Sequence, residues 1–194
     1  FSVSKKLLDQ GHFVHGFDSM NKYYDVKLKK NRKKILEKYK KFSFSKGKLE
    51  NHKVLSRSIF KFKPKVIIHL AAQAGVRYSI EKPRVYLNSN IIGTYNIIEL
   101  AKKVDVKHLL IASSSSVYGA NKNLPFKEID KTQTQLSIYA STKKSTESIA
   151  HSYSNLWKIP ISMLRFFTAY GPWGRPDMAL FKFTKGIINK KKID

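Results

Sequence analysis

Short apolar runs alternating with helical patterns constrain this chain more than any other feature. Val66-Ile-Ile-His-Leu70 and His108-Leu-Leu-Ile-Ala112 have strand length, as does Ile161 to Phe167, entered through Pro160. Runs of this kind suit parallel strands buried on both sides. Between them, Leu87, Ile91, Tyr95 and Ile98 recur at helical spacing within about Pro83 to Lys103, and Ile138 to Trp157 reads as a long helix. Upstream, the pattern predicts a helix over Ser2 to Asp9 stopped by Gly11, then a strand over Phe13 to Phe17 ending at Asp18. A lysine-rich helix from Val26 to Lys40, a strand over Phe42 to Phe44 and a helix over Val54 to Phe60 follow, and a last helix spans Asp177 to Asn189. The alternation predicts an α/β fold, a Rossmann-type doubly wound parallel sheet with helices on both faces. It is read as one domain over residues 1–194, with ligands outside the carboxyl ends of the strands.

Composition narrows the function. At 42% hydrophobic, 194 residues can bury one sizeable core. The absence of cysteine excludes a disulfide framework, a thiolate metal site and cysteine catalysis, and no metal site is expected. No run approaches the length of a membrane span, so no membrane partner is expected. A secretory signal stays open, because the chain starts at Phe1, apparently within an element. The net charge of +25 raises nucleic acid as a partner. The cations are 32 Lys and only 6 Arg, however, whereas base readout and phosphate forks favour Arg. Residues 22–65 hold 15 Lys and 2 Arg against 3 acids, a local balance of +14. A solvated lysine face is the expected reading and nucleic acid is not expected, with attraction of an anionic small substrate the third possibility.

Tyr139-Ala-Ser-Thr-Lys143 places a phenol and an ammonium on one helical face. Free tyrosine, with a pKa near 10, is a poor base at neutral pH; a neighbouring ammonium favours the phenolate. The spacing alone also occurs in ordinary surface pairs. Ser113-Ser-Ser-Ser-Val-Tyr-Gly119 sets hydroxyls directly after a strand, where this architecture binds ligands.

These elements, with His69-Leu-Ala-Ala72, resemble the extended short-chain dehydrogenase/reductase family over nearly the whole chain. Ala71-Ala-Gln-Ala-Gly-Val-Arg-Tyr-Ser79 and Arg165-Phe-Phe-Thr-Ala-Tyr-Gly-Pro-Trp-Gly-Arg-Pro-Asp-Met178 look like its UDP-glucuronate 4-epimerase branch. The resemblance implies a cytoplasmic enzyme, homodimeric at full length, that keeps NAD bound while interconverting UDP-glucuronate and UDP-galacturonate through a 4-keto intermediate. It makes Tyr139 the base, Lys143 its partner and ribose ligand, and Ser114 the hydroxyl that polarises the reacting oxygen. Asp18, with Asn21 beside it, matches the acid that holds the adenosine ribose. Leu70, Ala71, Ala72 and Gln73 match the strand end along which NAD lies, Asn90 a helix asparagine near it, and Phe166 a ring near the nicotinamide, or else plain core packing. Arg77, Ser115, Ser116, Thr168 and Arg175 fall at positions implied to face the UDP-sugar, with a surface cation the alternative for Arg175.

Two departures stand out. The family's glycine-rich phosphate loop does not precede the first helix, and Lys48-Leu49 occupies the place of an acid near the adenine. A fragment is therefore expected, with that loop upstream and a substrate lobe downstream, itself a weak NAD binder without turnover. Sister dehydratases carry acids at the two positions after the catalytic hydroxyl, and decarboxylases a glutamate at the second. Here both are serines, Ser115 and Ser116, which leaves no base for carbon 5 and favours epimerisation. UDP-glucose epimerisation, a dehydratase or decarboxylase activity, a cofactor fold without catalysis, and a basic nucleic-acid-associated domain remain as alternatives.

Overall fold

The computed structural model describes residues 1–191. The chain divides into two compact units, one of residues 1–46 with the chain from Thr168 onward, the other of Gly47–Phe167. The alternation of strands and helices is borne out in both.

In the first unit, helix α1 (Ser2–Asp9) precedes strand β1 (Val14–Asp18), helix α2 (Val26–Leu36) and strand β2 (Phe42–Lys46). The two strands pair in parallel, in register from Val14↔Phe42 to Asp18↔Lys46. Parallel pairing needs a long crossover, which α2 supplies. Asp25 starts α2 by accepting from the Lys27 amide at 2.8 Å. The helix ends at Leu36 rather than the expected Lys40, because Tyr39 turns back onto the Leu36 carbonyl and anchors its hydroxyl on Asp9.

The second unit runs α3 (His52–Phe62), β3 (Val66–His69), α4 (Val76–Glu81), α5 (Pro83–Tyr86), a π-helical turn (Leu87–Ile92) and α6 (Gly93–Lys103). Strand β4 (His108–Ala112), a 3₁₀ turn (Ser115–Tyr118), α7 (Ile138–Trp157) and β5 (Ile161–Leu164) complete it. The three strands form one parallel sheet in the order β3-β4-β5, with His69 opposite Ile111 and Ala112 opposite Leu164. The buried side chains include Leu55 of α3, Ile98 and Leu100 of α6, Leu109 and Ile111 of β4, and Ala150 of α7.

Further details depart from expectation. Strand β3 is not buried on both faces: Val66 is 48% and Ile68 36% exposed while His69 is enclosed, as befits an edge strand. Strand β5 stops three residues before Phe167, where the Phe166 amide turns back onto the Leu164 carbonyl. Helix α4 was not anticipated; it follows Gly75, whose φ of 102° lies in the region that favours glycine. The last helix, α8 (Ala179–Ile188) in the first unit, starts two residues later than expected and ends one residue short of Asn189.

Candidate active site

The carboxyl end of β4 and the first half of α7 build the site within the second unit. Ser137 caps α7 by accepting from the Ala140 amide at 3.1 Å. From that start the helical period sets Tyr139, Lys143 and Glu147 on one stripe. Lys143 is buried and donates from Nζ to the carbonyl of Ala112, the last residue of β4, at 2.8 Å. Burial pulls its ammonium down to about 8. An ammonium has three donors, so two are left for a ligand.

Tyr139 is half-buried, with its ring edge-on to Tyr86 at a centroid distance of 6.1 Å. Tyr86 is fully enclosed, and its hydroxyl donates to the carbonyl pair of Gly75 (2.6 Å) and Ala74 (2.9 Å), which ties down the segment after β3. The π-helical turn brings Asn90 inward. Its side chain accepts from the Gln73 amide at 2.8 Å and donates to the Gln73 carbonyl at 3.1 Å and Thr142 Oγ1 at 3.0 Å. Thr142 in turn donates to the Tyr139 carbonyl at 2.8 Å. One asparagine thus fastens Leu70–Gln73 to the turn of α7 that carries Tyr139 and Lys143. Extra-residue turns of this kind recur at functional sites.

The serine turn is fixed from β5. Ser113 and Ser115 donate their amides to the carbonyls of Leu164 (2.8 Å) and Phe166 (2.9 Å). Ser114 Oγ accepts from the Ser116 amide at 3.2 Å, so its own proton is available to a ligand. The turn packs on α7, with Ser115 and Ser116 half-buried, and closes at Gly119. A Cβ at Gly119 would come within 1.8 Å of the Thr134 carbonyl, so only glycine fits there.

Sequence reasoning missed the buried charges beneath this turn. Glu147, 7% exposed, accepts from Ser113 Oγ at 2.6 Å and from Arg165 Nε and Nη2 at 2.9 and 3.0 Å. Burial works to raise its carboxyl, but Arg165, Ser113 and Lys144 outweigh that and hold it below its ordinary value. Its place two turns after Tyr139 on the same stripe was the available signal. His69, whose Nε2 lies 2.9 Å from Thr94 Oγ1, is pushed down to about 3 by burial and by the Lys143 charge, so it is neutral near pH 7.

The remaining candidates are more exposed. Leu70 and Phe166 are half-exposed at the strand ends, Ala71 and Ala72 part-buried, and Arg77 open on the first turn of α4. Lys48 pairs loosely with Glu50 at 3.9 Å. In the first unit, Asp18 ends β1 and takes the Met20 amide at 2.6 Å on one carboxylate oxygen, while Asn21 binds Lys29 Nζ at 2.8 Å. Thr168 is exposed. Arg175 is not an open cation: its Nε and Nη2 form a fork onto Asp177 at 3.1 and 2.9 Å. Arg32 holds the same loop through the carbonyls of Trp173 and Gly174. Among the described residues no His/Asp/Glu group could hold a metal.

Parallel strands joined by helices, with a tyrosine and a buried lysine one turn apart beside a serine turn, define the class of extended short-chain dehydrogenase/reductases. Residues 2–193 match the family described as GDP-mannose 4,6 dehydratase, and the chain belongs to this NAD-dependent epimerase/dehydratase family. It is 53% identical over 194 residues, all of this chain and 57% of the relative, to a probable UDP-glucuronate 4-epimerase of Rhizobium meliloti. It is 55% identical over 192 residues, 99% of this chain and 57% of the relative, to Protein CapI of Staphylococcus aureus. Among solved structures, UDP-glucuronic acid 4-epimerase from Bacillus cereus, in complex with UDP-glucuronic acid and NAD, superimposes with a TM-score of 0.90 at 33% identity. That match covers 98% of this chain and 60% of the Bacillus chain. The chain spans a little over half the length of the curated relatives it matches.

Proposed function

We propose that this chain is the NAD-binding portion, over residues 1–194, of a UDP-glucuronate 4-epimerase. The observation that carries the reading is Lys143, bonded to the end of β4 beside the Ser114 turn and one helical turn from Tyr139. The relatives and the Bacillus neighbour support the same substrate and cofactor. The residues fit NAD. Lys143 keeps two donors for ribose hydroxyls, Asp18 keeps a carboxylate oxygen for the adenosine ribose, and Leu70 and Phe166 offer half-exposed apolar surface for a flat ring. Ala71 and Ala72 add small, part-buried residues beside Leu70, and Asn90 holds Gln73 behind them.

Bound NAD would supply a reversible hydride acceptor for carbon 4 of the sugar. Tyr139 takes the proton of the carbon 4 hydroxyl and later gives it back. Lys143, below its pKa of about 8, is an ammonium at neutral pH, one helical turn from Tyr139. Ser114, whose oxygen already accepts from Ser116, donates its proton to the reacting oxygen. Ser115 and Ser116 offer neutral donors to the uronate, and Arg77 offers charge to its anionic groups. Elimination would need a base at carbon 5. The carboxylate under the serine turn, Glu147, is enclosed and occupied by Arg165, so it cannot serve. This supports epimerisation over elimination.

A homodimer is supported by the apolar surface that Ile92 of the π-helical turn, Tyr95 of α6, and Leu156 and Trp157 of α7 expose. The lysine-rich composition supports a solvated face rather than a nucleic-acid surface. No helix among the described residues is long and apolar enough to cross a membrane, and a cytoplasmic location suits a nucleotide-sugar enzyme. The test is product analysis by NMR on protein carrying this chain, given UDP-glucuronate deuterated at carbon 4. UDP-galacturonate with the label retained is expected; a UDP-pentose or a dehydrated 4-keto sugar as main product refutes the reading.

A further inference from the structure

A carboxylate as enclosed as Glu147 must be compensated by its neighbours. Arg165 alone would suffice for that. The arrangement goes further, because Glu147 Oε1 accepts from Ser113 Oγ at 2.6 Å as well as from Arg165 Nε at 2.9 Å. The same guanidinium donates from Nη1 to the Glu128 carbonyl at 3.0 Å and lies 5.1 Å over the ring of Tyr118. One ion pair therefore touches the end of β4, the 3₁₀ turn, the loop before α7, α7 itself and the exit of β5. Ser113 is held twice, its amide by Leu164 and its hydroxyl by Glu147, and Tyr118 is held at the other end of the turn. Ser114, Ser115 and Ser116 lie between these two fixed points.

We propose that Glu147 and Arg165 are positioning residues which, through Ser113 and Tyr118, hold the hydroxyls of Ser114–Ser116 in register with Tyr139 on the same helix. Neither side chain touches substrate. Their kinetic consequence rests on the epimerase reading above; the structural consequence does not. A simple anchor of the fold would lower stability without acting through Ser114, and that difference is measurable.

Glu147→Gln keeps the shape and an acceptor for Ser113 but loses the charge pairing, and Arg165→Lys keeps the charge but loses the fork. Each should lower kcat about 100-fold, as a misplaced reacting group does, and leave KM within about twofold. In a Ser114→Ala background, Glu147→Gln should cost less than about fivefold, because the group it positions is already gone. Amide exchange should quicken at 114–119 while that of β3 and the second half of α7 stays as in the parent. Equal kcat losses in both backgrounds, or exchange rising evenly through the second unit, would overturn the proposal. If Glu147→Gln does not fold, Ser113→Ala carries the same three readouts with the ion pair intact. A parent protein with no epimerase activity refutes the proposed function, and the exchange measurement then decides this inference alone.

Discussion

Helices α2 and α7 use lysine in opposite ways. Helix α2 carries Lys27, Lys29, Lys30, Lys33 and Lys34 and buries only Leu36. Helix α7 buries Ala140, Thr142, Lys143, Thr146, Glu147 and Ala150. On α2, Lys27, Lys30 and Lys34 stand in solvent, and Lys33 pairs with Glu37 four residues on, a surface contact of small worth. On α7, Lys143 is enclosed, bonded to the end of β4, and its affinity for a proton is changed by its surroundings. The five lysines of α2 are a third of the 15 in the basic stretch 22–65. Among the described residues Lys143 is the one buried lysine, and the proposed reaction rests on it. What a charged residue does here depends on the dielectric around it and on what its remaining donors face, not on the local charge count.

The largest expected effect separates the helices by activity. Tyr139→Phe removes the base and should lower turnover by about 10³-fold or more, while KM moves little. Steady-state assay decides it; a loss below about tenfold would take Tyr139 out of the reaction.

The next contrast is thermodynamic. Lys143 has a folded pKa of about 8, below the 10.5 of an exposed lysine. Between those values the unfolded chain binds the extra proton, so stability rises with pH. From pH 7 to pH 10 this amounts to about 2–3 kcal/mol. Lys143→Met should lack that rise when urea midpoints at the two pH values are compared with those of the parent. An unchanged slope would mean that the lysine is solvated like those of α2.

His69 gives the acid counterpart. Its folded pKa of about 3, against 6.5 when exposed, means that the unfolded chain takes up the proton first as pH falls. Stability is full well above pH 6.5 and declines below it, by about 2–3 kcal/mol at pH 4.5. His69→Gln preserves a partner for Thr94 and should flatten that decline; equal acid sensitivity in variant and parent would show that the imidazole charges without penalty.

Much of this was legible in the sequence. Strand β4 and helices α1 and α7 lie within the bounds their periodicity predicts, because apolar runs and helical stripes report burial directly. Tyr139 and Lys143 were readable because a single helical turn fixes their relation. The π-helical turn that aims Asn90 was not readable, since Pro83 to Lys103 scans as one regular helix. Nor was the fork of Arg175 on Asp177, a local loop contact between residues two apart that no periodic pattern announces. The Glu147–Arg165 pair escaped for another reason. It joins α7 to the exit of β5, and contacts between elements depend on packing that one-dimensional patterns do not contain.

The smallest effect is expected from α2 itself. Changing Lys27, Lys30 and Lys34 together to Gln removes three exposed cations from a helix whose buried contact is Leu36. Lysine and glutamine have similar helix propensities, so unfolding midpoints should shift by less than about 0.5 kcal/mol, and turnover should not change. Parent and variant should both bind random duplex DNA no more tightly than about micromolar at 0.15 M salt, the parent through phosphate contacts that fade steeply as salt rises. A parent complex that is nanomolar at that salt, and is lost in the variant, would turn the lysine face from a solvated surface into a binding one. It would not return α7 to the same category, because Lys143 is closed to a polyanion of that size by the strand end it is bonded to.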